Sequence, residues 1–373
     1  MSANELNRNT YLSKNVGDFP EKCEINGQSY LKVEDLRYGT NPHQPAAFYK
    51  RADQVNVIGD MEILKNGKSG LSQTNLEDIS YALNIVKFFD KPACAVMKHV
   101  NPSGAAVLFG DETLKQVYMK ARDADARAAF GSAVAFNKEV DVETAQEIMG
   151  SFVECVVAPF YAEGVLEVFN DTETYKLNRH IRIIKCGDPA TLPKYTGEAS
   201  ALCNTFKVLA DGSLVVAAPL TTSLKSIDDM KPAEGENKRV GNQVSEVPVS
   251  KEQLEDMLFG WYVNISVRSN GVVIVSNGQT LSVGTGEQDR VGAVEQAIVK
   301  YRDKYEGENK IEGSSMASDG FFPFPDAVET AAEAGVKAII APAGSLRDAD
   351  VIKRANELGV ALYHAPERIF SHH

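Results

Sequence analysis

Two periods run through this chain. Over LSQTNLEDISYALNIVKFF (71–89), Leu76, Ile79, Leu83 and Val86 recur at the spacing of one helical face, and Thr74 with Glu77 makes a capping-box pattern at its start. PACAVMKHV (92–100) is a nearly continuous apolar run that reads as a buried strand, stopped by Asn101-Pro102. A helix then opens within 112–131 and ends in a small-residue turn, followed by a strand at 132–137, a helix at 141–152 and a buried strand at 154–159. Further along, 251–267 begins as a helix, and GVVIVSNGQTLSVGTG (271–286) is a hairpin with Asn277-Gly278 at its turn. Val291, Val294, Ile298 and Tyr301 mark another helix face. Strands alternating with helices imply α/β layers.

One grammar occurs twice. ECVVAPFYAEGVLEVF (154–169) leads to the strand IRIIKCG (181–187), and KAIIAPAGSLRDADVIKRANELGVALYHAP (337–366) repeats apolar strand, Ala-Pro, helix, apolar strand. Two copies of one α/β unit would account for the pattern and for a length of 373 residues; one large α/β unit is the alternative. Residues 1–30 are polar and read as peripheral, and the charged, turn-rich stretch 221–250 reads as an exposed connection.

Composition narrows the function. At 43% apolar residues the chain can bury an extensive core. Its net charge of -12 and pI near 5.1 disfavour nucleic acid as a partner, since non-specific binding needs a broad basic field. A local basic pocket for a small phosphorylated ligand stays compatible with that balance. The five cysteines (23, 94, 155, 186 and 203) are scattered without a CxxC pair, which reads as a reduced, cytoplasmic chain without structural zinc. No secretory h-region and no membrane-length apolar run are present, so no membrane association is expected.

Five stretches could carry chemistry. A lone histidine is usually structural, but Lys98 and His99 sit side by side at a strand end before Pro-Ser-Gly, which shifts the balance toward function: a histidine can move a proton and an ammonium can hold an oxyanion. Strand alternation would send the two to opposite faces unless the strand ends there. In VGTGEQDR (283–290) a Gly loop runs into a helix and suits an anion, or is simply a tight turn. Arg290 would lie in the first helical turn, against the dipole, which suggests a partner from outside the helix, a carboxylate or a polar ligand. In LRYGTNPHQPAAFY (36–49), Arg37 can fork onto a phosphate, or belongs to an irregular surface turn. In SSMASDGFFPFPD (314–326), Asp319 and Asp326 flank aromatics that could hold a planar heterocycle or form a hydrophobic staple. The tail ERIFSHH (367–373) is either a native functional end or a short tag.

Taken together, LRYGTNPHQ, KHVNPSG, ECVVAP, SNGVVIVSNGQTLSVGTGEQDR, SSMASDGFFPFPD, IIAPAGSLRD and ERIFSHH resemble, in matching order over roughly nine tenths of the chain, the AICAR transformylase domain of the bifunctional purine-biosynthesis enzyme family. The resemblance implies formyl transfer from the cosubstrate 10-formyltetrahydrofolate to the 5-amino group of 5-aminoimidazole-4-carboxamide ribonucleotide (AICAR), giving the formamido nucleotide (FAICAR) and tetrahydrofolate on the route to IMP. It implies His99 as proton acceptor and Lys98 as oxyanion stabiliser. It places Arg37, Tyr38, Gly131, Glu154, Asn270, Arg290, Phe321, Arg368 and His372 at nucleotide positions, and Val291, Asp326, Ser345 and Leu346 at folate positions. It implies a duplicated cytidine-deaminase-like fold of three-layer α/β/α units, here 31–200 and 201–373. It also implies a homodimer with active sites at the interface, no metal in the chemistry, and no decision about a monovalent cation.

The chain departs from the family pattern in three places. No counterpart of the fused cyclohydrolase lies ahead of residue 35, so IMP cyclohydrolase activity is not expected and a separate cyclohydrolase would close the ring. The family's Asp-Pro-x-Ser-Ala-Phe-Gly turn reads DARAAFG (125–131). The stretches 215–248 and 301–313 match poorly, so folate contacts there are not carried over. Among rival readings, a zinc nucleobase deaminase requires H-x-E and P-C-x-x-C, and neither occurs. A non-catalytic nucleotide or folate sensor would not need adjacent Lys98 and His99. AICAR formylation from another formyl donor is the third alternative.

Overall fold

The computed structural model describes residues 13–67, 69–198 and 204–372. The first twelve residues, Cys203 and His373 lie outside the described residues. In chain order the first elements are β1 (Lys22–Ile25), β2 (Gln28–Asp35), β3 (Ala47–Arg51), β4 (Glu62–Lys65), α1 (Gln73–Val86), β5 (Ala93–Lys98) and β6 (Asn101–Val107). Then come α2 (Leu114–Asp123), β7 (Ser132–Phe136), α3 (Val142–Met149), β8 (Val153–Ala158), α4 (Val165–Asn170) and β9 (Arg182–Lys185). The rest are β10 (Thr205–Val208), β11 (Leu214–Ala217), β12 (Lys231–Pro232), β13 (Glu234–Asn237), β14 (Gly241–Val244), α5 (Lys251–Asn264), β15 (Val272–Ser276) and β16 (Gln279–Gly284), then α6 (Arg290–Lys304), β17 (Ser315–Ser318), α7 (Asp326–Ala334), β18 (Ala338–Pro342), α8 (Asp348–Glu357) and β19 (Ala361–Ala365). The protein is α/β. No helix among the described residues is long and apolar enough to cross a membrane.

Two compact units divide the chain. Unit 1 runs to Val100 and adds Thr113–Met119 and Arg127–Leu192; unit 2 takes Asn101–Glu112, Lys120–Ala126 and everything from Pro193 onward. In unit 1 the strand order is β5-β7-β8-β9-β4. β5 is antiparallel to β7, β7 to β9 run parallel, and β4 returns antiparallel to β9. A separate antiparallel sheet, β1-β2-β3, precedes it. In unit 2 the order is β12-β19-β18-β17-β15-β16-β6, with β15 antiparallel to both β16 and β17, β17 to β19 parallel, and β12 antiparallel to β19. The same succession α-β-β-α-β-α-β-α-β thus runs through Gln73–Lys185 and again through Lys251–Ala365, with the same pairing senses around it.

The helices form where periodicity predicts them. α1 buries Ile79, Ala82, Leu83 and Val86 completely; burying each large aliphatic side chain stabilises by about 1.5–3 kcal/mol. Its capping box is not the expected Thr74–Glu77 pair. Ser72 is the cap, accepting from the Asn75 amide, while the Asn75 side chain accepts from the Ser72 amide. An amide at the third helical position does here what a glutamate usually does. In unit 2, α5 lies against Val275 of β15 and Ala317 of β17, while α6, α7 and α8 pack on Val272, Ile274 and Met316 from the other face of those strands and on Ile339 of β18. Its sheet is therefore covered on both faces.

Three expectations change. β5 is stopped by a turn at His99–Val100, and Asn101-Pro102 opens β6, near a strand start where a missing N–H is tolerated. The β1–β3 sheet flanks the supposed surface turn of 36–49. The polar stretch 221–250 contains the short strands β12, β13 and β14, too brief for period to reveal.

Gly284 closes β16 beneath α6, and a Cβ there would run into the carbonyl oxygen of Ala293, a backbone atom with no room to yield. Gly284→Ala is expected to destabilise by about 1–3 kcal/mol, as overpacking does, read as a lower urea midpoint at unchanged m-value. An unchanged midpoint would refute this account of the contact.

Candidate functional site

Unit 1 holds a cavity of about 1010 Å³ at the amino ends of β7, β8 and β9 and the carboxyl end of β5. Arg37 and Tyr38 reach it from the segment after β2, Lys98 and His99 from the end of β5, Gly131 from the entry to β7 and Glu154 from β8. All six nucleotide and catalytic candidates from this half of the chain therefore line one space. Alternation would have parted Lys98 and His99, but β5 ends at Lys98 and the chain turns at once. His99 (φ 53°) and Val100 (φ 62°) both take left-handed backbone, which costs on the order of 1–3 kcal/mol each outside glycine. The Lys98 ammonium donates to the Gly131 carbonyl at 2.6 Å. Gly131 has φ 74°, and a Cβ on it would stand 3.1 Å from Lys98 Nζ and 3.0 Å from the Phe152 ring, so the altered DARAAFG turn still delivers a glycine against the lysine.

Around these stand residues the sequence did not single out. Asn75 donates to Glu154 Oε2 at 3.0 Å and lies 3.4 Å from Arg37 Nη2. Arg182, first in β9, donates to the Gly70 carbonyl at 2.9 Å and has its Nη1 4.0 Å from the same Glu154 oxygen. Arg37 and Arg182 are 7% and 4% exposed, so two desolvated guanidiniums share one nearby carboxylate. Burial first, and then Arg182, pull the Arg37 pKa down. Arg37 Nε has no hydrogen-bond partner among the described residues. Lys176 and Arg179 bring the lining to five cations against Glu77, Asp78 and Glu154. An acidic chain has here a cationic pocket short of anions, and low-dielectric walls focus such a field. Arg182 was legible only as a charged residue opening an apolar strand. Asn75 and Asp78 were legible only as polar residues beside an apolar helical stripe.

Asp78 lies under the turn. It is 5% exposed and accepts the Val100 amide at 2.6 Å, with a further backbone bond from His99. Burial pushes its pKa up to about 6, against the lowering pull of the Val100 amide, His99 and Lys98.

The remaining candidates belong to unit 2 and follow one edge of its sheet. β16, β17, β18 and β19 run the same way; Arg290 and Val291 follow β16, Phe321 and Asp326 follow β17, Ser345 and Leu346 follow β18, and Arg368 and His372 follow β19. Asn270 precedes the antiparallel β15 and reaches the same edge. Arg290 finds its carboxylate within the unit: Nη1 bonds Asp319 at 2.5 Å and the Gly271 carbonyl at 3.1 Å, and Nη2 bonds Asn270 at 2.5 Å. The guanidiniums of Arg290 and Arg368 lie 5.9 and 4.4 Å from the centre of the Phe370 ring, which His372 meets edge-on. The Gly loop before α6 is not an open anion cradle, because Asp289 caps Gly292 N–H itself at 2.7 Å. The folate candidates are not gathered in one cavity. Val291 packs partly on the core, Asp326 bonds the following Ala327 amide, Ser345 N–H is held by Asp348, and exposed Leu346 lines a separate cavity of about 430 Å³ with Arg239 and Arg347.

Comparison with known proteins places these features in a lineage. The family described as AICARFT/IMPCHase bienzyme matches residues 3–300. The bifunctional purine biosynthesis protein PurH of Clostridium perfringens is 35% identical over 375 residues, covering 100% of this chain and 65% of that protein. The protein of the same name from Magnetococcus marinus is 38% identical over 362 residues, 95% of this chain and 62% of its own, and that of Gloeothece citriformis 38% over 344 residues, 92% and 59%. The chain thus spans about two thirds or less of the length of these relatives.

The buried carboxylate makes stability depend on pH. Asp78 titrates near 6 when folded against 3.8 ordinarily, so the protonated form favours the fold. That contribution is full below about pH 4 and is lost as pH rises through about 6, an effect on the order of 3 kcal/mol. Asp78→Asn does not titrate and is expected to remove this part of the slope. Urea unfolding between pH 4.5 and 7.5 checks it; parallel pH profiles for the two proteins would rule it out.

Proposed function

The chain belongs to the AICARFT/IMPCHase bienzyme family, and from that premise we propose that it transfers the formyl group of 10-formyltetrahydrofolate to the 5-amino group of AICAR in purine biosynthesis. The observation that carries the reading is the meeting of Lys98 and His99 in one cavity with the buried pair Arg37 and Arg182. That pair binds the phosphate of the nucleotide, because the bidentate geometry of a guanidinium suits a dianion. Tyr38, Gly131 and Glu154 contact the rest of the nucleotide.

That amine is a poor nucleophile, because its lone pair is delocalised into the imidazole ring and its carboxamide. Its nitrogen attacks the formyl carbon while His99 takes the departing proton. The carbonyl electron pair moves onto oxygen, and the Lys98 ammonium stabilises the resulting oxyanion. Collapse of the tetrahedral species breaks the bond to N10 of the folate, and the His99 imidazolium returns its proton to that nitrogen. Lys98 is oriented for this by the Gly131 carbonyl. The unit 2 edge with Asn270, Arg290, Phe321, Arg368 and His372 supplies further nucleotide contacts, and Val291, Asp326, Ser345 and Leu346 receive the folate. The recurring element order supports reading Gln73–Lys185 and Lys251–Ala365 as copies of one cytidine-deaminase-type unit. The reading includes a homodimer with active sites at the subunit interface.

The assay follows tetrahydrofolate release from 10-formyltetrahydrofolate plus AICAR. His99→Ala is expected to lower kcat by about 10²–10⁴, and Lys98→Ala by about 10²–10³ with KM for AICAR little changed. No turnover by the wild type, or full turnover by His99→Ala, would sink the mechanism; an effect of Lys98→Ala confined to KM would make it a binding residue.

A further inference from the structure

We propose that Asp78 is a positioning residue whose carboxylate holds the left-handed turn that aims His99 into the cavity. The inference comes from two turns of one geometry with opposite sequences. Between β15 and β16 the chain turns through Asn277 (φ 53°) and Gly278 (φ 68°). Asn-Gly is the pair best suited to a two-residue turn with both φ positive. Between β5 and β6 it turns through His99 (φ 53°) and Val100 (φ 62°). Neither residue suits that geometry, and a β-branched residue suits it least.

Both turns rest on an aspartate at the sixth residue of the preceding helix. In α5 this is Asp256, which accepts the Asn277 amide at 2.9 Å and the Gly278 amide at 2.8 Å. In α1 it is Asp78, which accepts the Val100 amide at 2.6 Å and is bonded by the His99 backbone. At Asn277-Gly278 the residues themselves prefer the turn, so the carboxylate is an addition. At His99-Val100 the side chains oppose it, so the carboxylate is the agent that keeps it. Without the turn, β5 would continue extended and carry His99 to the face away from Lys98. Asp78 acts through two backbone amides of the turn, not on the reacting atoms.

The kinetic arm rests on the formyl-transfer reading; a second arm does not. Asp78→Ala is expected to lower kcat about 10–100-fold with KM for AICAR changed less than about 3-fold, since the binding groups stay in place. Asp78→Asn keeps one acceptor oxygen and is expected to retain most of kcat, and it serves if Asp78→Ala does not fold. Val100→Gly in the Asp78→Ala background removes the steric objection to positive φ and is expected to recover kcat several-fold. Asp256→Ala, at the turn that needs no help, is the control and is expected to leave kcat unchanged. Full kcat in Asp78→Ala, no recovery with Val100→Gly, or an equal loss in Asp256→Ala would overturn the proposal. Amide hydrogen exchange decides the matter independently of turnover. Exchange at His99 and Val100 is expected to be at least 10-fold faster in Asp78→Ala than in the wild type; equal rates would overturn the positioning role. A wild type that turns over no AICAR counts against formyl transfer alone.

Discussion

The seating of α1 is the constraint on which the unit 1 site depends. Its apolar stripe of Ile79, Ala82, Leu83 and Val86 is fully buried, so the helix has one orientation on its sheet. That orientation commits its polar residues too. Ser72, Asn75 and Asp78 come inward with the first turns and must find partners away from bulk water. They find them in each other, in Glu154, in Arg37 and in the amides of the turn after β5. A stripe that stabilises the core thereby fixes the polar frame of the cavity.

Charge sets what this frame costs. The whole chain carries a net -12, yet two guanidiniums are buried beside a single carboxylate. Burying two cations close together opposes folding. Asp78, with its pKa pushed up to about 6, is likewise held ionised near neutrality against the preference of its surroundings. Strain at His99 and Val100 adds to the same side. These unfavourable terms fall in one cavity, while the strands around it, β5 and β7, are buried almost throughout. A well-buried core tolerates these costs.

The recurrence of one element order also shows how physics divides labour between copies. The aspartate under the turn occurs in both, but only one turn has residues suited to it. The candidates of unit 1 gather at the amino ends of its parallel strands, those of unit 2 along the carboxyl ends of its own. The carboxyl edge is the usual place for ligands in open α/β sheets. Unit 1 departs from that habit because β5, running the opposite way, brings Lys98 to the other edge.

The sequence by itself determined the elements long enough to show a period: α1, α5 and α6, the buried runs of β5, β8 and β18, and the Asn277-Gly278 hairpin. It also singled out Lys98, His99, Arg37 and Arg290, whose charge is conspicuous in its setting. Short strands such as β12 to β14 stayed hidden, because two to four residues carry too few repeats of any period. The tertiary structure decided what no local pattern encodes. Whether Lys98 and His99 face one space depends on where β5 stops, and that is set by a carboxylate 21 residues upstream of His99 in another element. Arg182 and Asn75 gain meaning only from neighbours distant in sequence. Arg290 called for a partner from outside its helix, and only folding shows it to be Asp319, because the end of β17 comes beside the start of α6. Periodicity is a property of neighbours along the chain; a site is a property of neighbours in space.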